Sequence, residues 1–576
     1  MKRSNVKTRA MKNFSERVGT GSIPQMLGLC SLTLIFAVAA APPPETGRRI
    51  VAADHILVSN AGKKVLTDDG NAFDAAVGAA LAAGVVQPAG SGLGGGGFAV
   101  YSEGLGDGKT LSGVLDFRER APEVAHQKMY VDDAGKVIPN LSRVGGKAVA
   151  VPAEGAGLAR LLKEHGQIGF RRVAQPAVEL AMRGFAVGAH LERALANTRH
   201  MEVLEFFSKD GRPPKRYEVF RNKALGRTIK RWAGSQGASL HGGQDAQALV
   251  SHVQEVGGGL QMGDLTSYQP VRREPVEFQY KGYRLITMPP PSSGGVVLAQ
   301  VLQGLQRRDV VALGHNSSRY VHLLAEAMKH AYADRAHHMG DPDFVEVPVA
   351  TLIDEKRVQE VVNAFDETKT FESSFYGPLI APLEDAGTQH ISVHDGVTGV
   401  ALTTTINTSF GSGVVVPELG LILNNEMDDF AAAPGVPNAF GLVGSDANAV
   451  APGKRPLSSM TPTVVLNQRG ETVMVLGASG GSTIISACIQ VFLNIVEFGM
   501  DPQEAVAAPR MHHQWIPDTL VLEPEFPADV VQALKDMGHT VQLRSAYSSV
   551  QVVHRTPRGL AGGADPRKGG WPAAER

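Results

Sequence analysis

The chain has 576 residues, 43% of them hydrophobic and 20% charged, which is ample apolar material for a core and a length that allows up to three or four domains. A formal net charge of −1 leaves no basic footprint for nucleic acid and points to small-molecule substrates. The only cysteines, Cys30 and Cys488, exclude a disulfide framework.

Residues 1–25 carry Lys2, Arg3, Lys7, Arg9, Lys12 and Arg17 against a single Glu16, and Met26 to Ala41 then turn apolar and end in small residues. This is a signal-peptide layout over 1–41, with cleavage expected ahead of Pro42. The apolar run is too short to span a bilayer comfortably, so a periplasmic or secreted protein without a stable membrane span is expected. Asp74 to Val86 reads as an alanine-rich helix stopped by Pro88. Gly90, Gly92 and Gly94 to Gly97 then lead into a strand, Phe98 to Tyr101. No GK[ST] follows and the loop enters a strand, so these glycines read as close backbone packing and not as a phosphate cradle.

A second strand, Gly113 to Phe117, ends in Asp116-Phe117-Arg118-Glu119-Arg120, a charge run that on its own reads as a solvated strand end. Residues 152–260 read as mostly helical. Strands return from Val276 to Met288, and Ser317 or Ser318 caps a long helix with Leu324, Met328, Ala331 and Tyr332 on one apolar face. His330, His337 and His338 on that helix lack HExxH or comparable ligand spacing, and read as surface or capping residues. Residues 360–386 are polar and weakly patterned, as a flexible segment would be.

From Thr388 to His394 polar and apolar side chains alternate, the period of a half-buried strand. A five-residue loop, Asp395 to Gly399, and a second strand, Val400 to Ile406, complete a hairpin. Gly387 gives backbone freedom that lets its carbonyl turn toward the Thr388 hydroxyl. Breaking the bond between them would leave Thr388 with an attacking hydroxyl and a free α-amine, nucleophile and base together. Such an amine titrates near ~8, closer to neutral than the roughly 10.4 of lysine. Spacing and residue type alone favour an ordinary strand start.

Thr405, on the second strand, lies near Thr388 if the two strands pair, and is otherwise a simple β-former. Asn424, Asn425, Glu426, Asp428 and Asp429 offer oxygen ligands but no calcium-loop spacing. Gly480 and Gly481 offer unobstructed N–H groups at a strand-to-helix junction, a natural oxyanion hole. The same loop, Gly477-Ala478-Ser479-Gly480-Gly481, matches G-x-S-x-G with Asp518 and His539 downstream. Its late position and the lack of regular strand and helix alternation upstream count against that serine hydrolase.

Nine segments carry a resemblance in order: LGGGGFAVY (93–101), LDFRERAP (115–122), MPPPSSGG (288–295), YADRAHHMGDPDF (332–344), TQHISV (388–393), TTINTSFGSG (404–413), NNEMDDF (424–430), KRPLSSMTPT (454–463) and GASGGS (477–482). With the stretch from Pro434 to Val450 they resemble the γ-glutamyltranspeptidases over nearly everything after residue 50. The resemblance implies an α/β four-layer αββα sandwich of the N-terminal nucleophile hydrolase type. It implies self-cleavage between Gly387 and Thr388 into a large subunit, 42–387, and a small catalytic one, 388–576, which stay together as an intertwined heterodimer. It makes Thr388 the nucleophile and base, Thr405 its hydroxyl partner, and Gly480 and Gly481 the oxyanion hole.

By the same resemblance Arg118, Ser458 and Ser459 bind the substrate's α-carboxylate, which suits a planar two-pronged donor, and Asn407, Glu426 and Asp429 bind its α-amino group. Neither metal nor organic cofactor is implied. The donors are γ-glutamyl amides such as glutathione, and the acceptors are water, amino acids or dipeptides. Some proteins with this framework are cephalosporin acylases or depolymerise polyglutamate, which is the alternative reading. Many relatives carry a lid whose P-G-V-P-N-x segment is followed by tyrosine. This chain has Phe440 there.

Overall fold

The computed structural model describes residues 44–106, 109–377, 387–431, 446–545 and 548–576. The expected leader and the expected lid residue Phe440 lie outside the described residues.

Two seven-stranded sheets organise the chain. One runs in the order Glu45–Gly47, Gly559–Ala564, Ser549–Thr556, Thr472–Ser479, Thr463–Leu466, Tyr283–Thr287, Val276–Tyr280. The other runs Ala573–Glu575, Arg49–Ala53, Gln389–His394, Gly399–Thr405, Gly96–Gly106, Lys109–Phe117, Val271–Arg273. Every pairing within them is antiparallel. The helices Ile56–Thr67, Ala72–Val86 and Phe170–Arg183 share a core with Ile391, Val393, Val400 and Leu402 of the second sheet. The helices Gly294–Leu305, Ser318–His338 and Thr483–Val496 share another with Val464, Val475 and Val552 of the first, and Phe98, Val100 and Ala401 join it from the facing sheet. The result is the expected αββα sandwich.

The expected half-buried strand is buried on both sides, from Gln389 to His394. Its apolar set faces the helices, while its polar set meets the other sheet: Ser392 Oγ donates to the Gln551 carbonyl at 3.0 Å, and His394 Nε2 lies 3.0 Å from the Thr472 carbonyl. Burial pushes His390 down to about 3 and His394 to about 4, so both rings are neutral at ordinary pH. The hairpin loop is four residues, not five, because Gly399 already pairs with His394. Asp395 ties the loop, accepting from Val397 and Thr398 N–H and from Ala72 N–H at the start of the first alanine-rich helix. That helix begins at Ala72, two residues earlier than expected, because Asn71 and Asp74 form a reciprocal capping box.

Ser317 caps the long helix Ser318–His338, as expected. The segment expected to be flexible from 360 is anchored through 377. Glu326 accepts from Thr370 Oγ1 at 2.6 Å and from Tyr376, and Lys329 donates to Thr370 at 2.5 Å. Residues 378–386 lie outside the described residues. No described helix is long and apolar enough to cross a membrane.

Candidate active site

Thr388 stands at the head of the central strand, 4% exposed. Its Oγ1 hydrogen-bonds to the Gly387 carbonyl oxygen and lies 3.3 Å from Thr405 Oγ1. Thr405 Oγ1 accepts from Asn407 N–H at 2.8 Å and donates to the same Gly387 oxygen at 3.0 Å. The backbone donor fixes the direction of the Thr405 proton, so two hydroxyls converge on one carbonyl. A hydroxyl held against the carbonyl of the preceding residue, with a second donor polarising that carbonyl, is the geometry an N-to-O acyl shift requires.

Gly387 N–H donates to the Asn407 carbonyl at 2.7 Å. The need for glycine here is spatial: a Cβ would lie 2.7 Å from the Thr408 carbonyl oxygen and 2.9 Å from that of Ala89. Its φ is not in the left-handed region, so close approach, and not the backbone freedom expected from sequence, is what excludes a side chain.

A narrow cleft, about 310 Å³ of empty space with its open mouth counted, opens on Thr388 and Thr405. Arg118, Asn407, Glu426, Asp429, Ser458, Ser459 and Gly481 line it with Leu457, Met460 and Ile484. Besides Thr388 and Thr405, the eight expected catalytic and substrate-binding positions come from five separate segments, and the fold gathers all but Gly480 onto this wall.

Arg118, expected from charge pattern to be solvated, is 1% exposed. Asp116 Oδ1 accepts its backbone N–H at 2.9 Å, and Tyr268 OH donates to its carbonyl at 2.8 Å. Its guanidinium contacts Glu426 Oε1 and, at 2.5 Å, Asp429 Oδ2, while Nε donates to the Pro456 carbonyl at 3.3 Å. Burial pushes the Asp429 carboxyl up to about 6 against the pull of Arg118. Glu119, 3.8 Å from Arg118 Nη1 and fully buried, is pushed up to about 8 for the same reason. Glu426 Oε2 and Ser459 Oγ are buried with no hydrogen-bond partner among the described residues, and an unpaired buried polar atom on a cavity wall is a place for a polar ligand. Ser458 Oγ accepts from Met460 N–H at 3.1 Å, which fixes the serine pair beside the cavity.

Gly480 and Gly481 have φ of +137° and +58° and connect the strand Thr472–Ser479 to the helix Thr483–Val496. Thr483 Oγ1 donates to the Gly480 carbonyl at 2.6 Å, which pins the turn. Gly481 faces the cavity and Gly480 is its neighbour.

The rival serine constellation is not assembled. Ser479 is the last residue of its strand and fully buried. Its hydroxyl faces Asp54 Oδ2 at 3.1 Å and Lys568 Nζ at 2.7 Å. Asp518 instead pairs with His513 at 3.2 Å, and His539 Nε2 with His322 Nδ1 at 2.7 Å.

His322, Glu326 and His539 are the one described group whose ligand atoms cluster as a metal would need. The Lys329 ammonium, 3.7 Å from Glu326, competes with a cation there, and Thr370, Tyr376 and the two rings' mutual hydrogen bond already engage the ligand atoms. His330, His337 and His338 are not part of it. His330 is half-buried and meets the Tyr376 ring edge-on, with centroids 4.7 Å apart.

Asp54 and Lys568 are the site neighbours that sequence reasoning missed. Lys568 Nζ donates to the Thr388 carbonyl at 3.0 Å. Nothing in the local sequence DPRKGG marks it, since the partner lies 180 positions away.

The family model for gamma-glutamyltranspeptidase matches residues 58–574. The chain is 38% identical to a glutathione hydrolase proenzyme of Escherichia coli over 92% of this chain and 95% of that protein, and 37% identical to glutathione hydrolase 2 of Arabidopsis thaliana over 91% and 93%. Among solved structures, a cephalosporin acylase from Bacillus halodurans superposes with a TM-score of 0.79 at 27% identity, over 94% of this chain and all of that one. The γ-glutamyltranspeptidase of Helicobacter pylori superposes with a TM-score of 0.54 at 37% identity, over 56% of this chain and 93% of that one.

Proposed function

The chain belongs to the γ-glutamyltranspeptidase family, and from that premise we propose that Thr388 is both the residue that cleaves its own precursor and the nucleophile of the mature enzyme. The activity of the family is that of a self-processing γ-glutamyl hydrolase and transferase, and this chain has it. The observation that carries the residue assignment is the contact of Thr388 Oγ1 with the Gly387 carbonyl, under the second hydroxyl of Thr405.

In maturation Thr388 Oγ1 attacks the Gly387 carbonyl carbon, the C–N bond breaks, and the acyl group moves from nitrogen to oxygen. Water then hydrolyses the ester. The large chain, 42–387 after removal of the leader, ends in the Gly387 carboxylate, and the small chain, 388–576, begins with a free α-amine. The two remain a heterodimer, exported to the periplasm or secreted. In turnover Thr388 Oγ1 attacks the γ-carbonyl of a γ-glutamyl amide such as glutathione while its α-amine takes the hydroxyl proton and returns it to the leaving amine. The N–H groups of Gly480 and Gly481 hold the oxyanion, a donor pair of the kind whose members each contribute ~10² to 10³ in rate. The γ-glutamyl enzyme passes to water, an amino acid or a dipeptide.

The charge cluster at Arg118 supports γ-glutamyl donors over glutaryl ones. Arg118 is paired with both Glu426 and Asp429 in a buried wall. An incoming α-amino acid head group re-pairs them, its carboxylate taking Arg118 with Ser458 and Ser459, and its ammonium taking Glu426 and Asp429 with the Asn407 amide. A glutaryl amide has no ammonium to offer these acids. The assignment is tested by a denaturing gel and amino-terminal sequencing of the smaller band. Wild type gives two chains, the smaller starting TQHISV. Thr388→Ala stays one inactive chain, and Ser479→Ala still gives two. Normal maturation of Thr388→Ala, or a new terminus elsewhere, overturns it.

A further inference from the structure

Lys568 reaches the nucleophile from the opposite end of the small chain. It closes a short turn after the strand Gly559–Ala564, and its ammonium donates to the Thr388 carbonyl oxygen at 3.0 Å and to Ser479 Oγ at 2.7 Å. Ser479 immediately precedes the glycine pair assigned to the oxyanion. Its hydroxyl continues to Asp54, which Ser549 Oγ at 2.5 Å, Gln551 Nε2 at 2.8 Å and His390 N–H at 3.0 Å also hold. A half-buried ammonium thus joins the nucleophile's own main chain to the turn that faces the cavity.

We propose that Lys568 is a positioning residue for the threonine nucleophile: its ammonium clamps the Thr388 carbonyl to Ser479 and keeps the α-amine that cleavage creates in its free-base form near neutral pH. The inference rests on the assignment of Thr388 given above. Lys568, Ser479 and Thr388 all lie in 388–576, so the clamp survives the break at Gly387. The amine nitrogen and carbonyl oxygen of one residue are three bonds apart, which puts the ammonium within roughly 6 to 7 Å of the amine. A like charge at that range disfavours protonation of the amine, and a base must be unprotonated to accept the hydroxyl proton. Lys568 itself transfers no proton.

The other charges facing this point do not substitute for it. His390 on the same strand, at about 3, is neutral, as are His55 at about 4 and His190 at about 3 on the neighbouring elements. Arg193 acts on the same side, lowering His190 together with Lys568. Across the cavity Arg118 is matched by Glu426 and Asp429. Among the described residues Asp54 is the acid facing Lys568; burial pushes its carboxyl up, and Lys568 pulls it back.

The test is the pH profile of kcat/KM with γ-glutamyl-p-nitroanilide for wild type, Lys568→Gln and Lys568→Arg. In Lys568→Gln the acid limb moves up by about 1 pH unit, with the rate lost near pH 7 largely recovered at higher pH and KM little changed. Lys568→Arg keeps the limb where wild type has it. The limb is independent of how much enzyme is active, so partial maturation does not obscure it. A limb that stays put in Lys568→Gln, or a loss uniform across pH, overturns the inference. So does a complete failure of Lys568→Gln and Lys568→Ala to mature while Lys568→Arg matures, which moves the role to cleavage. A wild-type small chain that does not start at Thr388 sinks the nucleophile assignment instead, whereas a Thr388 start with an unmoved limb sinks only the role of Lys568.

Discussion

Arg118 shows how a single buried side chain couples binding to pH. With Glu426 and Asp429 against it and 1% exposure, its loss takes the guanidinium away from two buried acids, and removing one partner of a buried charged contact costs on the order of 2 to 5 kcal/mol. Arg118→Ala therefore raises KM for γ-glutamyl-p-nitroanilide by about 30-fold or more, while the small chain still forms. Arg118→Lys recovers part of the loss, because a point charge grips one oxygen where the guanidinium grips two. Unchanged kinetics in Arg118→Ala would remove it from the site. Asp429 adds a pH dependence. Its carboxyl, pushed by burial to about 6, is ionised above that pH and protonated below it, and only the ionised form attracts an ammonium. KM for a γ-glutamyl donor therefore climbs as pH falls through about 6. A glutaryl analogue, lacking the ammonium, shows no such climb, and parallel curves for the two donors would rule Asp429 out as an ammonium ligand. At this scale motif resemblance picked out positions that the fold brings onto one cavity wall, Arg118 among them despite a charge run that reads as exposed. Lys568 was not, because a hydrogen bond across 180 residues leaves no local pattern.

The hairpin Gln389–His394 and Gly399–Thr405, with Thr388 immediately ahead of its first strand, holds both hydroxyls proposed to act, and its pairing sets their separation. Thr405→Ala removes the donor that polarises the Gly387 carbonyl, so cleavage slows by ~10² or more, and Thr405→Ser restores most of it. A time course of precursor disappearance on a gel reads this directly, and equal rates in Thr405→Ala would leave the residue a plain strand former. The hairpin also depends on the sheet facing it. A Cβ on Gly477 would lie 2.2 Å from the His390 ring, and the rings and hydroxyls between the sheets have no room to retreat. Gly477→Val forces the sheets apart next to Thr388 and yields precursor that neither matures nor melts as the wild type does, as thermal denaturation and a gel would reveal. Wild-type maturation and melting in Gly477→Val would contradict the close packing. Alternation of polar and apolar residues marked the strand from sequence, but not that both faces are covered. A polar stripe at period two looks the same whether it meets water or a second sheet, and only the long-range pairing with Arg49–Ala53 and Gly96–Gly106 decides it.

That pairing governs the whole molecule after cleavage. The first strands of the small chain are internal to their sheet: Gln389–His394 is hydrogen-bonded to Arg49–Ala53, and Gly399–Thr405 to Gly96–Gly106. The small chain returns the exchange, with Ala573–Glu575 extending the same sheet beside Arg49–Ala53. In the other sheet Thr463–Leu466 pairs with Tyr283–Thr287, and Gly559–Ala564 with Glu45–Gly47. The four-layer order is implied by the family resemblance and not by local pattern, since strand order across hundreds of residues has no local signature. With these five ladders and both cores shared between the two chains, separation requires breaking the sheets themselves. The proposed cleavage at Gly387 removes one covalent link and leaves every one of these ladders intact. The mature protein therefore elutes from a sizing column in native buffer as one species containing both chains in equal amounts, at high salt as well as low, because the contacts are ladders and apolar cores and not screened surface charge. The chains part only at denaturant concentrations that also abolish the secondary structure seen by circular dichroism, in one coincident transition. Release of a folded small chain in native buffer, or at a denaturant concentration below the loss of secondary structure, would mean that the two halves fold as separate units and that the interleaved strand order does not hold the enzyme together.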